Sequence, residues 1–181
     1  MLNTKYVITQ RGVFPNPDAM GNAWFVNEVQ FVPTPDDESI ALNTIDIHTT
    51  AVADEKFREA LTCAPQPSEN DEIVLTEYTP NTLTYSTKLT HERVAIFSEI
   101  YYPHGWHLYV DGKEIELGRA NYVLRAAVIP EGEHQLTMTF IPDALAWDKL
   151  GYTLVILAIL ISIGCIGLSL RYYFASRKNE A

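Results

Sequence analysis

The sequence predicts a mainly β protein: an antiparallel β-sandwich with two short helices, followed by one C-terminal transmembrane helix. Three features carry that expectation. Runs of Val, Ile, Thr, Tyr and Phe recur between short turn signals from Ile73 onward. Two of those runs alternate apolar and polar residues, as a strand with one buried face must. Near the end, Gly151–Leu170 (GYTLVILAILISIGCIGLSL) is an uncharged stretch of 20 residues.

Taken in order, Lys5–Thr9 reads as a short β run, followed by a turn-rich patch at Pro15, Asn16, Pro17 and Asp18. Ala23–Val32 (AWFVNEVQFV) reads as one aromatic, β-branched strand. It stops at Pro33 and Pro35, because proline has no N–H to give a ladder. Thr34 is placed to cap a helix with Pro35 at its first position and Asp36, Asp37 and Glu38 in its first turn, so a short helix to about Asn43 follows. Residues 49–53 (TTAVA) suggest a strand, Asp54–Leu61 a second short helix, and Thr62–Asp71 a polar loop.

Ile73–Tyr78, Thr82–Leu89 and Arg93–Tyr101 are strands separated by Pro80 with Asn81 and by His91 with Glu92. Leu83, Tyr85, Thr87 and Leu89 alternate with Thr82, Thr84, Ser86 and Lys88, which gives one buried face and one wet face. Trp106–Val110 and Lys113–Leu117 flank Asp111 and Gly112, a pair favoured in type I′ hairpin turns because both residues tolerate positive φ. Tyr122–Ile129 and Glu133–Ile141 are joined through Pro130, Glu131 and Gly132, with Leu136, Met138 and Phe140 alternating against Gln135, Thr137 and Thr139. Consecutive antiparallel strands with short turns imply a sandwich.

The uncharged stretch has the length of a membrane span: at about 1.5 Å per residue its helix covers roughly 30 Å. Only Thr153 and Ser162 interrupt it before Ser169, whereas a soluble helix keeps a polar stripe. Arg171, Arg177 and Lys178 follow the span, while Asp143 and Asp148 accompany Lys149 before it, so the positive-inside rule puts the tail in the cytoplasm. Trp147 and Tyr152 at one end, with Tyr172, Tyr173 and Phe174 at the other, supply interfacial aromatic belts. The expected organisation is an extracytoplasmic domain over 1–145, a span with its flanks over 146–174, and a basic cytoplasmic tail over 175–181, single-pass in the bacterial cytoplasmic membrane. The opening MLNTKYVITQRGVFPNPDAM has no signal-peptide pattern, so the expectation is that earlier spans deliver the domain across the membrane.

Charge narrows the partners. The chain carries −10 overall; residues 149–181 hold four basic residues against one acidic, a net of +3, which leaves −13 on residues 1–148. A surface of that sign repels phosphate backbones and argues against nucleic acid. Cys63 and Cys165 fall in different physical regions and are not expected to pair. There is no Gly-rich phosphate loop, no G-x-S-x-G elbow and no H-E-x-x-H motif. No catalytic residue, metal site or cofactor is therefore expected. His104 and His107 read as a solvated turn in preference to a ligand pair, and Asp36, Asp37 and Glu38 as charge complementing a helix N-terminus in preference to a calcium site.

One segment invites a binding hypothesis. Tyr101, Tyr102, Trp106, Tyr109 and Tyr122 could stack on sugar rings, or could divide between the sandwich interior and its edge. Arg125 interrupts an apolar strand, so it is either on a solvent face or, if buried, paired with a carboxylate. Tyr101, Tyr102, Trp106, Tyr122 and Arg125 are the candidate contacts for a carbohydrate or a partner.

That same stretch, EIYYPHGWHLYVDGKEIEL followed by RANYVLRAAVIPEGEHQLTMTF, resembles the C-terminal extracytoplasmic domain of the YfhO-like bacterial membrane proteins. The opening MLNTKYVI and the later NAWFV and ALNT are similar to the start of that domain in homologues from the Bacteroidetes. Tyr102, Pro103, Gly105, Trp106, Asp111, Gly112, Asn121 and Arg125 match the family pattern, mostly as structural positions. The resemblance implies a polytopic protein similar to glycosyltransferases that use lipid-linked sugars and decorate cell-envelope polymers, with its catalytic carboxylate on an early loop that is not in this chain. A stand-alone, membrane-anchored module that binds envelope carbohydrate or protein is the alternative. The partners so implied are the membrane, an envelope glycan or lipid-linked sugar, and the polytopic portion of the same protein.

Overall fold

The computed structural model describes residues 1–64, 70–142 and 144–178, without the side chains of 144–150 and 172–178. It divides into two compact units, Met1–Ile141 and Pro142–Ala181. The first is mainly antiparallel β, as the sequence predicts, and has one more layer than a plain sandwich.

Thirteen strands are described: β1 Tyr6–Thr9, β2 Gly12–Pro15, β3 Ala23–Val26, β4 Glu28–Val32, β5 Thr50–Asp54, β6 Glu72–Thr79, β7 Thr82–Leu89, β8 Arg93–Ile100, β9 Trp106–Val110, β10 Lys113–Ile115, β11 Gly118–Ala120, β12 Leu124–Ile129 and β13 Gly132–Phe140. Between them lie the helix α1 (Pro35–Ala41), a 3-10 turn at Glu55–Phe57 and the single-turn helix α2 (Arg58–Leu61). One sheet has the order β10-β9-β13-β7-β6 and another β11-β12-β8-β3. Leu83, Tyr85, Phe97, Leu108, Ile129, Leu136 and Met138 come from both sheets and form one buried cluster between them.

The other face of the four-stranded sheet is buried too. Val94, Ile96, Leu124 and Ala126 form a second cluster with Ala51 and Ala53 of β5 and Leu61 of α2. Strands covered on both sides read as continuous apolar runs without alternation. That is the pattern of β8, whose first five residues are all buried, and of β12, buried from Leu124 to Ala127.

This third layer accounts for the places where the structure departs from the sequence reading. The run Ala23–Val32 is two strands: β3 pairs with β8, while β4 pairs in parallel with β5. The break falls at Asn27, whose N–H donates to the Thr49 carbonyl and whose side chain accepts from Arg93. A parallel pair needs a crossover, here α1, and has no local turn signature. Between the first β run and the turn-rich patch lies a strand to which the sequence reading gave no element, β2, which reaches Pro15 and pairs with β1 in a hairpin closed by Thr9 and Gly12. The run assigned from Tyr122 starts as a strand only at Leu124, because Asn121 and Tyr122 take φ of 50° and 71° and turn the chain out of β11. The strand expected to reach Leu117 ends at Ile115.

Other elements follow the local chemistry. Thr34 caps α1 by accepting from the Asp37 N–H at 3.2 Å, with Pro35 inside the first turn. Asp111 and Gly112 take φ of 49° and 83°, as a type I′ pair requires. Cys63 and Cys165 are both free. Part of the loop expected over 62–71, residues 65–69, lies outside the described residues.

The second unit is the helix α3, Ala144–Lys178. Within it Gly151–Arg171, 21 residues of mean hydropathy 2.6 with none of them buried, is long and apolar enough to cross a membrane. Ser162 donates its hydroxyl to the Ala158 carbonyl at 2.8 Å, which satisfies the polar group within the helix. Of the aromatic residues expected to form belts, Tyr152 is exposed, while the side chains of Trp147, Tyr172, Tyr173 and Phe174 lie outside those described.

Candidate functional site

The candidate residues converge on the end of the sandwich where β8 finishes and β9 and β12 begin. Leu124 sits opposite Ile100 but Arg125 opposite Phe97, so Ser98 and Glu99 bulge out of the ladder. A bulge re-aims the groups beside it. Here it leaves the Ile100 carbonyl free to accept from Arg125 Nε at 3.0 Å. Arg125 Nη1 also reaches Met138 Sδ at 2.9 Å, and the guanidinium lies 3.9 Å from the centroid of the Trp106 ring.

Arg125 is only 3% exposed, yet among the described residues no carboxylate comes within ion-pair distance of it. This corrects the expectation that a buried Arg125 would be salt-bridged. A carbonyl, a thioether and an aromatic face replace the carboxylate. Burial pulls its pKa below the ordinary arginine value, and the more distant Glu99 opposes that pull. Trp106 also packs on Phe140, with centroids 5.3 Å apart. Trp106 and Arg125 therefore serve mainly to cement the end of the sandwich, and one face of the indole is taken.

Gly105 is fixed by the same packing. Its φ is +90°, and a Cβ would lie 2.8 Å from the Ile141 carbonyl oxygen and 2.9 Å from Phe140 Cε2. Only glycine allows the chain to enter β9 this close to the end of β13.

The tyrosines are arranged differently. The Tyr101 N–H donates to the Val123 carbonyl at 2.7 Å, which sets Tyr102 and Tyr122 on neighbouring stretches of chain. Tyr101 is half-buried, edge-on to Phe57 at 5.6 Å. Tyr102 and Tyr122 are 51% and 44% exposed, and are the two rings of the set open to a ligand.

Tyr122 is held in a conformation unusual for a bulky residue. Two residues clamp it. Glu38 Oε1 accepts from the Tyr122 N–H at 2.8 Å, Glu38 Oε2 accepts from Arg119 Nη2 at 2.7 Å, and Arg119 Nη1 donates to the Tyr122 carbonyl. Glu38 is fully buried, and Arg119 also lies 3.9 Å from Asp54 and beside the rings of Phe57 and Tyr122. Burial raises the Glu38 pKa, while the Tyr122 N–H and Arg119 oppose the rise. Next to the clamp, the Asn121 N–H donates to the Val52 carbonyl at 2.7 Å and Asn121 Oδ1 accepts from the Val52 N–H at 2.9 Å, which ties the turn to β5.

The sequence reading places Glu38 among three acidic residues at a helix start and gives Arg119 no role. No signal in the sequence set Glu38 apart from Asp36 and Asp37, because its partner Arg119 lies 81 residues away.

Of the pair expected to form a solvated turn, only His104 lies in a turn; His107 is on β9. His107 Nδ1 is 2.6 Å from Glu114, and His104 stands edge-on to Tyr102. No group of three or more metal-binding side chains occurs among the described residues. His134 bridges the Asp111 turn to the β12–β13 turn, with Nδ1 2.6 Å from Asp111 and Nε2 2.8 Å from the Glu131 carbonyl. The bond to Asp111, then that to Glu131, raises the His134 pKa, and the same His134 bond lowers that of Asp111.

The His134 contribution is complete below its unfolded value and fades as pH rises through the raised folded value; that of Asp111 is complete above its unfolded value and fades as pH falls through the lowered one. His134→Ala should therefore lower the melting temperature of the β domain more at about pH 5.5 than at about pH 8.5. Equal losses at the two values would show that the bridge is not ionic.

Comparison with known proteins adds a family. The model of the family described as Bacterial membrane protein YfhO matches residues 34–150. The chain belongs to the YfhO family. The matched region contains α1 with Glu38, both rims of the tyrosine pair, the Arg125–Trp106 contact and the start of α3, so the whole candidate site of this YfhO protein lies inside it. Membership and the exposed apolar helix together place the protein at a membrane. No curated protein and no solved structure matches the chain.

Proposed function

We propose that this chain is the C-terminal portion of a YfhO-family membrane protein with a glycosyltransferase-like role in cell-envelope glycosylation. In this reading the β domain supplies no catalytic group and presents Tyr102 and Tyr122 to an envelope glycan or to the sugar of a lipid-linked donor. One observation supports it above the rest: a buried ion pair holds Tyr122 by both its N–H and its carbonyl in a strained conformation, with its ring 44% exposed. Strain kept at an exposed aromatic is the usual mark of a recognition position, and a flat ring complements the C–H face of a pyranose. The domain is extracytoplasmic and the C-terminus cytoplasmic, a placement supported by Arg171, Arg177 and Lys178 beyond the span.

The test is binding of cell-envelope polysaccharide fragments to the full chain in lipid nanodiscs. Tyr102→Ala and Tyr122→Ala should each weaken binding by roughly three- to tenfold, with the fold retained. Binding that ignores both substitutions, or no binding by the unaltered chain, would remove the carbohydrate role. Labelling of the domain in intact cells by a membrane-impermeant reagent tests its side of the membrane, and labelling only after lysis would reverse the placement.

A further inference from the structure

The N-terminal hairpin β1–β2 has no structural reason to exist as an isolated element in water. All eight of its strand residues are exposed, and a lone two-stranded hairpin is marginal at best. Its register puts Tyr6 opposite Pro15 and Ile8 opposite Val13 on one face, and Val7 opposite Phe14 on the other, so both faces are apolar. Ile8 is 80% exposed, and Leu2, Tyr6, Val13 and Phe14 are at least half exposed. Scattered exposed apolar residues are ordinary, but a contiguous group marks a contact surface.

Two independent observations bear on what could cover it. The first is charge. Residues 1–17 carry Lys5 and Arg11 and no carboxylate, on a domain whose remaining residues are strongly acidic. The second is the end of the sandwich from which the hairpin springs. Ser98, near the end of β8, donates its N–H to the Asn22 carbonyl at 2.8 Å, and its hydroxyl lies 2.8 and 2.6 Å from the carbonyl oxygens of Met1 and Gly21. Both ends of the segment are thus tied beside the Ser98–Glu99 bulge, at the end of the sandwich where β13 finishes with Phe140.

From there the chain reaches the apolar span quickly. Nine residues separate Ile141 from Gly151, and those from Ala144 onward are helical, rising only about 1.5 Å each. The tether that joins this end of the sandwich to the apolar span is therefore short. A four-residue strand extends roughly 14 Å.

We infer that the hairpin Tyr6–Pro15 is a membrane-interface foot: its aromatic and branched side chains enter the headgroup layer, and Lys5 and Arg11 pair with anionic lipid phosphates. Its unpaired edge N–H and C=O groups keep it in the hydrated headgroup layer and out of the hydrocarbon. Tyrosine is suited to that depth, with an apolar ring and a polar tip. The inference is independent of any glycan role for Tyr102 and Tyr122.

The experiment uses the full chain, with Cys63 and Cys165 replaced by serine, in vesicles with and without phosphatidylglycerol. An environment-sensitive fluorophore is placed on Ile8→Cys, and on Lys113→Cys at the opposite end of the sandwich as control. In anionic vesicles the Ile8 probe should emit further to the blue than the Lys113 probe, and spin-labelled lipid should quench it several-fold more. Lys5→Glu with Arg11→Glu should remove that difference, each basic residue being worth roughly fivefold in interfacial occupancy. An Ile8 probe as wet as the control would overturn the inference. So would one that is dry but unquenched by spin-labelled lipid, which would mean that a second copy of the chain or another protein covers the hairpin.

Discussion

Glu38→Ala is expected to destabilise the β domain by about 3–5 kcal/mol, the cost of breaking a buried ion pair from one side. The loss has two parts. Among the described carboxylates Arg119, 13% exposed and held at 2.7 Å by Glu38, would keep only Asp54 at 3.9 Å, and the Tyr122 N–H would lose its acceptor. Glu38→Gln separates them, because its amide oxygen can still accept from Tyr122 while the charge is gone; it should cost less, about 1–3 kcal/mol. Chemical denaturation of the two variants measures the difference. Since Glu38 belongs to α1 and Tyr122 to the turn before β12, the clamp joins the third layer to the exposed tyrosines. Glu38→Ala should for that reason also release Tyr122, and any glycan binding should fall even where the domain remains folded. Equal stabilities for the alanine, glutamine and unaltered proteins would mean that Glu38 and Arg119 are not paired in solution.

What could be read from the sequence is what neighbouring residues decide. The alternation of Leu83, Tyr85, Thr87 and Leu89, the Asp111–Gly112 turn and the Thr34 cap each act within a few residues, and the structure keeps all three, except that Thr84 on the face expected to be wet is buried. Gly151–Leu170 is equally local, because length and lack of charge alone define it. The third layer was not legible. Glu28–Val32 and Thr50–Asp54 join as a parallel pair across an intervening helix, and nothing at either strand announces the other. The same limit hid the clamp: Glu38 and Arg119 meet over a separation of 81 residues. In the aromatic segment the sequence could not tell Trp106, whose ring face Arg125 covers, from Tyr102, which is open.

The third layer makes a prediction that a two-layer sandwich does not. Ile96 and Phe97 are adjacent on β8 and point to opposite faces, each fully buried, Phe97 in the cluster between the sheets and Ile96 in the cluster under β5 and α2. Phe97→Ala should cost about 3–5 kcal/mol, since it removes a large ring and opens a cavity beside Tyr85, whose ring lies 5.2 Å away. In a two-layer sandwich Ile96 would face water, and Ile96→Ala would fall within about 0.5 kcal/mol of neutral. With Ala51, Ala53 and Leu61 packed over it, the same substitution should cost about 2–5 kcal/mol. Denaturation of the two variants side by side decides the point: comparable losses require a sheet covered on both faces, whereas a large loss at Phe97 beside a negligible one at Ile96 would mean that β4, β5 and the short helices do not pack on it.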